Sequence, residues 1–242
     1  VFHAAETRTV RRKIHGGADG EELRRENISR IANRRGPAST RPVKFTLPNI
    51  LTISRVPMMF VVVALMYSDW TGAATWALWL FIASAMTDWL DGLLARRANQ
   101  VSAFGRFMDA VIDKVMVVGL MVALVNGGYF HGFRITAMLL LLLILAREFT
   151  ISGLRMAAAT KGLVVEADAG GKVKTFVQLN AIGWLLAARM FERDYHGLFG
   201  GDAAFWVRGV QNIGLVLYAL SAVLTVTSGI SYFWRHGNVV RD

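Results

Sequence analysis

No cysteine occurs anywhere in the 242 residues, so neither a disulfide framework nor a thiolate metal site is available. The first 45 residues hold no long apolar run, so that segment reads as neither a signal peptide nor a spanning helix. It is basic, yet no aromatic residues are interleaved with its charges, and a nucleic-acid role finds no motif to stand on. No serine, histidine and aspartate are placed together as a nucleophilic set, which leaves covalent catalysis without a candidate. His131 and His196 fall in predicted outer loops and receive no role.

What is abundant is apolar surface. Hydrophobic residues make up 54% of the chain although the net charge is +10, a combination that suits a multi-pass membrane protein better than a soluble domain. Residues 1–45 carry 11 Lys/Arg against 5 Asp/Glu, which supplies +6 of that charge. Within them, Glu21 to Arg35 can form a short helix with Leu23, Ile28, Ile31 and Ala32 partly on one side. It would lie on anionic headgroups or remain a solvated tail. The predicted organisation is a basic, partly amphipathic cytoplasmic segment at 1–45 followed by an all-α membrane domain at 46–242.

Six apolar runs follow, at Asn49–Tyr67, Thr71–Ala95, Phe104–Gly127, Phe133–Ala157, Thr175–Met190 and Phe205–Phe233. Most have the ~20 residues that a ~30 Å hydrocarbon core demands, and the fifth is the shortest. Six transmembrane helices are therefore predicted. Basic residues gather in the N-terminal segment, at Arg96 and Arg97, at Lys161, Lys172 and Lys174, and at Arg235 and Arg241, whereas the alternate loops are poorer in positive charge. The positive-inside rule then puts both termini in the cytoplasm of an inner-membrane protein. Trp70, Tyr129, Trp206, Tyr232 and Trp234 fall near run ends, where interfacial anchors belong.

The chain is organised around Asp88 to Asp113, DWLDGLLARRANQVSAFGRFMDAVID. Asp88, Asp91, Gly92 and Ala95 share one helical face, and Gly105, Asp109 and Asp113 repeat the arrangement on a second helix across a polar turn. The topology puts all four aspartates near the cytoplasmic boundary. Acids in that setting repel one another and cost free energy unless cations lie between them. With only carboxylate oxygens clustered, the expected ligands are hard cations, Mg²⁺ or Mn²⁺, and four carboxylates suit two of them. The bland alternative pairs the acids with Arg96, Arg97, Arg106 and Lys114 on a wet helix end.

The string Asp88-x2-Asp91-Gly92-x2-Ala95-Arg96-x8-Gly105-x3-Asp109-x3-Asp113 resembles the signature of the CDP-alcohol phosphotransferases, with every fixed position present. That resemblance implies six transmembrane helices, a homodimer, a cytoplasm-facing site with two divalent cations and a CDP-linked substrate. By the same resemblance Asp88, Asp91, Asp109 and Asp113 would be metal ligands, Asp113 would also act as general base, and Asp91, Gly92, Ala95, Arg96 and Gly105 would border the cytidine diphosphate. Arg55, inside the first apolar run, asks for an anionic partner or a path to the interface. The nucleotide's phosphates are one such partner, with Asn49 and Thr52 a turn or two away.

Pro48 to Arg55, Ala146-Arg147-Glu148-Phe149 through Arg155, and Gly171 to Thr175 resemble stretches of bacterial phosphatidylglycerophosphate synthases within that family. The acceptor implied is glycerol 3-phosphate, attacking CDP-diacylglycerol, with Arg147, Arg155, Lys172 and Lys174 as candidate acceptor-phosphate ligands. Other acceptors stay open, namely inositol phosphate and phosphatidylglycerol. Serine fits poorly because a basic cluster anticipates a phosphate. Outside the class, a six-helix cation transporter would also carry intramembrane aspartates, but it would spread polar residues across the whole thickness.

Overall fold

The computed structural model describes residues 47–98, 103–160, 170–195, 197 and 202–236, with side chains described outside 47–51, 88–98, 103–107, 170, 172, 203, 235 and 236. All of these belong to the compact unit Thr46–Asp242. The N-terminal segment and residue His196 lie outside them.

Among the described residues there are six α-helices and no strand: α1 Leu47–Met66, α2 Ala73–Ala98, α3 Ala103–Asn126, α4 Arg134–Thr160, α5 Gly170–Arg193 and α6 Ala203–His236. Each covers one of the six apolar runs, as continuous hydrophobic sequence between polar turns dictates. The largest difference is at α5, which has 24 residues and extends well beyond both ends of its run. Hydropathy starts the run after Lys174 and takes in Gln178 as a polar residue within it. In the folded chain both are buried and satisfied, Lys174 by Glu148 of α4 and Gln178 by Thr225 of α6, its Nε2 donating to Oγ1 at 3.4 Å.

The most extensive pairing is α5 against α6; α1 packs on α2 and α3, α2 on α5, and α4 on α6. Met59, Val62, Phe81, Leu120, Leu124, Leu141, Ile182 and Leu185 are among the residues of the shared core. At the α1–α3 contact a Cβ on Gly119 would fall 2.6 Å from the Met59 sulfur. Only glycine permits that approach. Arg55, one turn before Met59, is thereby brought within reach of Asp113, which precedes Gly119 by six residues.

At the opposite end, Asp194 follows α5 and caps α2. Its carboxylate accepts from Gly72 N at 3.0 Å, Thr75 N at 2.8 Å and Thr75 Oγ1 at 2.6 Å, satisfying donors that a helix start leaves without partners. Partial burial pushes this carboxyl up, but the Thr75 and Gly72 hydrogen bonds and the Arg193 charge outweigh it and hold its pKa below the usual value. Arg193 completes the junction by donating to Ser68 O and Asp69, each at 3.0 Å.

The outer surface is strongly apolar. Phe60, Trp76, Trp79, Leu139, Leu142, Val216 and Val223 are all exposed, and α4 together with the Ala204–Trp234 part of α6 is long and apolar enough to cross a membrane. Trp70, Trp206 and Trp234 are exposed near helix ends, as the sequence led one to expect. Tyr129 and Tyr232 depart from that expectation. Both are buried, with the guanidinium groups of Arg189 and Arg155 over their rings at 5.6 and 5.4 Å from the centroids.

Candidate active site

The site begins with a buried cation. Arg55, on α1, is 1% exposed, and an unpaired charge there would be costly. Its Nη1 donates to Asp113 Oδ1 at 2.8 Å and lies 3.6 Å from Asp109 Oδ1. Thr52, one turn earlier on α1, donates its hydroxyl to the same Asp109 oxygen at 3.4 Å. Asp109 and Asp113 are four residues apart on α3, so both carboxylates look toward α1. Their side chains remain 48% and 41% exposed, open to a further ligand while tethered from behind. Arg55 therefore neither snorkels to an interface nor lies alone in the apolar run.

Asp88 and Asp91 occupy the last three turns of α2. The two helices meet one turn away, where the Ser84 hydroxyl sits 3.4 Å from the Met116 sulfur. Asp88 follows Ser84 by four residues and Asp113 precedes Met116 by three, each about one helical turn from that contact. The side chains of Asp88, Asp91, Gly92, Ala95, Arg96, Gly105 and Asn49 lie outside the described set, as does that of Arg106. No group of three or more potential metal ligands occurs among the described residues.

A second cluster stands beside the first. Glu148 on α4 is only 12% exposed and gathers three cations. Arg147 Nη1 donates to its Oε1 at 3.1 Å, Lys174 from α5 donates to the same oxygen, and Lys114 from α3 approaches Oε2 at 4.0 Å. Lys114 also donates to the hydroxyl of Ser152, whose own proton goes to the Glu148 carbonyl at 2.6 Å. Three cations on one carboxylate leave a formal charge of +2, matching a phosphate dianion. Arg55 with Asp109 and Asp113 has a formal charge of −1, which suits cations.

Of the four basic residues singled out in the sequence, Arg147 and Lys174 come together on Glu148. Arg155 sits about 12 Å further along α4, eight residues at 1.5 Å each, and donates its Nε to Tyr232 Oη at 3.2 Å. The Lys172 side chain lies outside the described set. Lys114, a candidate partner for the aspartates, turns instead toward α4. Sequence reasoning gave no role to Glu148, Ser152 or Ser228, and placed Tyr232 only as an interfacial anchor. A lone glutamate beside an arginine carries no pattern, and its partners come from helices 34 residues before and 26 residues after it.

Asp113 and Lys114 are consecutive on α3, and they join the two clusters: one faces the carboxylate side, the other the cation side. A phosphate ester gripped by the cations could thus present a hydroxyl to the carboxylates.

The CDP-alcohol phosphatidyltransferase family model matches residues 45–227. Proteins named CDP-diacylglycerol–glycerol-3-phosphate 3-phosphatidyltransferase from Salmonella choleraesuis strain SC-B67 and Escherichia coli strain K12 are each 37% identical over 182 residues, covering 74% of this chain and 96% of the relative. The protein of that name from Shigella flexneri serotype 5b is 35% identical over 192 residues, covering 78% of this chain and 94% of its own.

Proposed function

Because the chain belongs to the CDP-alcohol phosphatidyltransferase family, we propose that it transfers the phosphatidyl group of CDP-diacylglycerol to glycerol 3-phosphate. The products are phosphatidylglycerophosphate and CMP, a step of phospholipid biosynthesis. The observation that supports this reading is the junction at Asp113 and Lys114, where a carboxylate face and a formally +2 cluster of cations meet.

In this reading Arg147 and Lys174, gathered on Glu148, hold the acceptor's phosphate, with Arg155 and Lys172 as further candidate ligands. Asp113 takes the proton from the acceptor hydroxyl as its oxygen forms a bond to the β-phosphorus. The bond from that phosphorus to the bridging oxygen breaks, and CMP leaves. Arg55 and Thr52 hold Asp113 and Asp109 in place, and with Asn49 they border the nucleotide together with Asp91, Gly92, Ala95, Arg96 and Gly105.

The family is in general divalent-metal dependent. The donor set fits a hard divalent cation, since Asp109 and Asp113 offer oxygen alone and stay partly open. With Asp88 and Asp91 they would hold two such ions, Mg²⁺ or Mn²⁺. Bound there, the ions supply Lewis-acid charge that neutralises the pyrophosphate of the donor.

The exposed apolar girdle and the six helices support six membrane spans. Loop charges support an inner-membrane orientation with both termini and the site at the cytoplasmic face, the basic segment 1–45 lying at that surface. The family resemblance extends this to a homodimer. Purified in detergent, the protein is expected to release CMP from CDP-diacylglycerol only when a divalent cation and an acceptor are both present. Release that persists under a chelator excess would contradict the proposed site.

A further inference from the structure

We propose that Ser228, Gly229 and Tyr232 of α6 are positioning residues that shape the acceptor-phosphate pocket by fixing the guanidinium groups of Arg147 and Arg155. This rests on the acceptor site described above and deepens it. Ser228 Oγ accepts from Arg147 Nη2 at 3.0 Å, while Glu148 accepts from Nη1 on the other side of the same planar group. A Cβ on Gly229 would stand 2.6 Å from Arg147 Cγ and 3.2 Å from its Nε, so any larger residue displaces the arginine stem. One turn on from Ser228, the buried Tyr232 accepts from Arg155 Nε at 3.2 Å and turns its ring to the guanidinium.

The two helices match in register. Arg147 and Arg155 are eight residues apart on one face of α4, with the buried Ile151 between them. Ser228, Gly229 and Tyr232 form the facing row of α6. A guanidinium recognises phosphate through the orientation of its planar fork, so what holds the plane decides what is recognised. All three α6 residues lie beyond residue 227, where the family match ends. The clamp is therefore a feature of the chain's last helix, supplied from outside the matched region. A groove of about 370 Å³ opens beside Arg147 between α4 and α6, so a displaced side chain has somewhere to go and a Gly229 variant can still fold.

The test is steady-state kinetics on the purified full chain, varying glycerol 3-phosphate and CDP-diacylglycerol separately. Ser228→Ala is expected to raise the KM for glycerol 3-phosphate about 10-fold, with kcat and the KM for CDP-diacylglycerol changed less than about 2-fold. Gly229→Ala should act in the same way. Ser228→Thr, which keeps the hydroxyl, should return the acceptor KM to within about 3-fold of the parent. In an Arg147→Ala background, Ser228→Ala should add nothing, because the two changes remove one interaction.

If Arg147→Ala raises the acceptor KM while Ser228→Ala and Gly229→Ala leave it unchanged, the positioning role is wrong and the acceptor site stands. If Arg147→Ala itself leaves that KM unchanged, the acceptor site and the positioning role fall together. A rise shared equally by both substrates, or additive effects in the double variant, would make the α6 row merely structural and overturn the proposal.

Discussion

Asp113→Asn is expected to lower turnover by about 10³-fold, within the 10²- to 10⁴-fold that a positioned general base contributes. The substitution keeps the size of the side chain and leaves an oxygen for Arg55, which lies 2.8 Å away and also has Asp109 at 3.6 Å. The buried arginine thus stays compensated and the fold survives. What is lost is the basic oxygen and one unit of negative charge at the site proposed for the cations. Affinity for CDP-diacylglycerol should fall much less than turnover, because Asp88, Asp91 and Asp109 would still hold the cations that meet the pyrophosphate. Equilibrium binding and single-turnover CMP release on the same preparation separate the two effects. Turnover retained near the parent level would remove Asp113 from the role of base.

Glu148→Gln should produce the largest loss of stability. Glu148 is the shared counter-charge of Arg147, Lys174 and Lys114, and it is itself 12% exposed. An amide there leaves Arg147 and Lys174 crowded in a poorly solvated spot, with Lys114 at its more exposed edge. Removing one partner of a buried ion pair costs about 3 kcal/mol or more, which translates into roughly 6–12 °C or more in the thermal transition of a chain of this size. Saturating glycerol 3-phosphate should restore part of that loss, because its dianion replaces the missing negative charge. The ligand-induced shift in melting temperature should therefore be larger in Glu148→Gln than in the parent. An unchanged transition would mean that the cluster is wetter than its burial indicates, and an equal shift would mean that the phosphate binds elsewhere.

These effects differ in how far the sequence announces them. The six helices are legible because each follows a largely apolar run between polar turns, and their order follows directly. The start of α5 is not, because Lys174 counts as loop charge until Glu148 is known to satisfy it. Asp109 and Asp113 announce themselves by helical spacing. That Arg55 would tie the pair together from α1 is only half legible: its need for an anion is plain, but the anion in view was the nucleotide's phosphates, with a path to the interface as the alternative. Glu148 is invisible for the opposite reason, since a single acid among bases has no period, and its partners come from three helices. Ser228, Gly229 and Tyr232 sit in a run that reads as an ordinary membrane span. Small and aromatic residues there acquire meaning only when the face of α4 opposite them is known.

The most direct test of the central claim is to offer the purified protein CDP-diacylglycerol with Mg²⁺ or Mn²⁺ and, in separate reactions, glycerol 3-phosphate, inositol phosphate or phosphatidylglycerol, measuring CMP and identifying the lipid product by mass. CMP release with glycerol 3-phosphate, together with phosphatidylglycerophosphate as the lipid, is the expected result. Release with inositol phosphate or phosphatidylglycerol instead, and none with glycerol 3-phosphate, would contradict the acceptor assignment while leaving the carboxylate face and its chemistry in place.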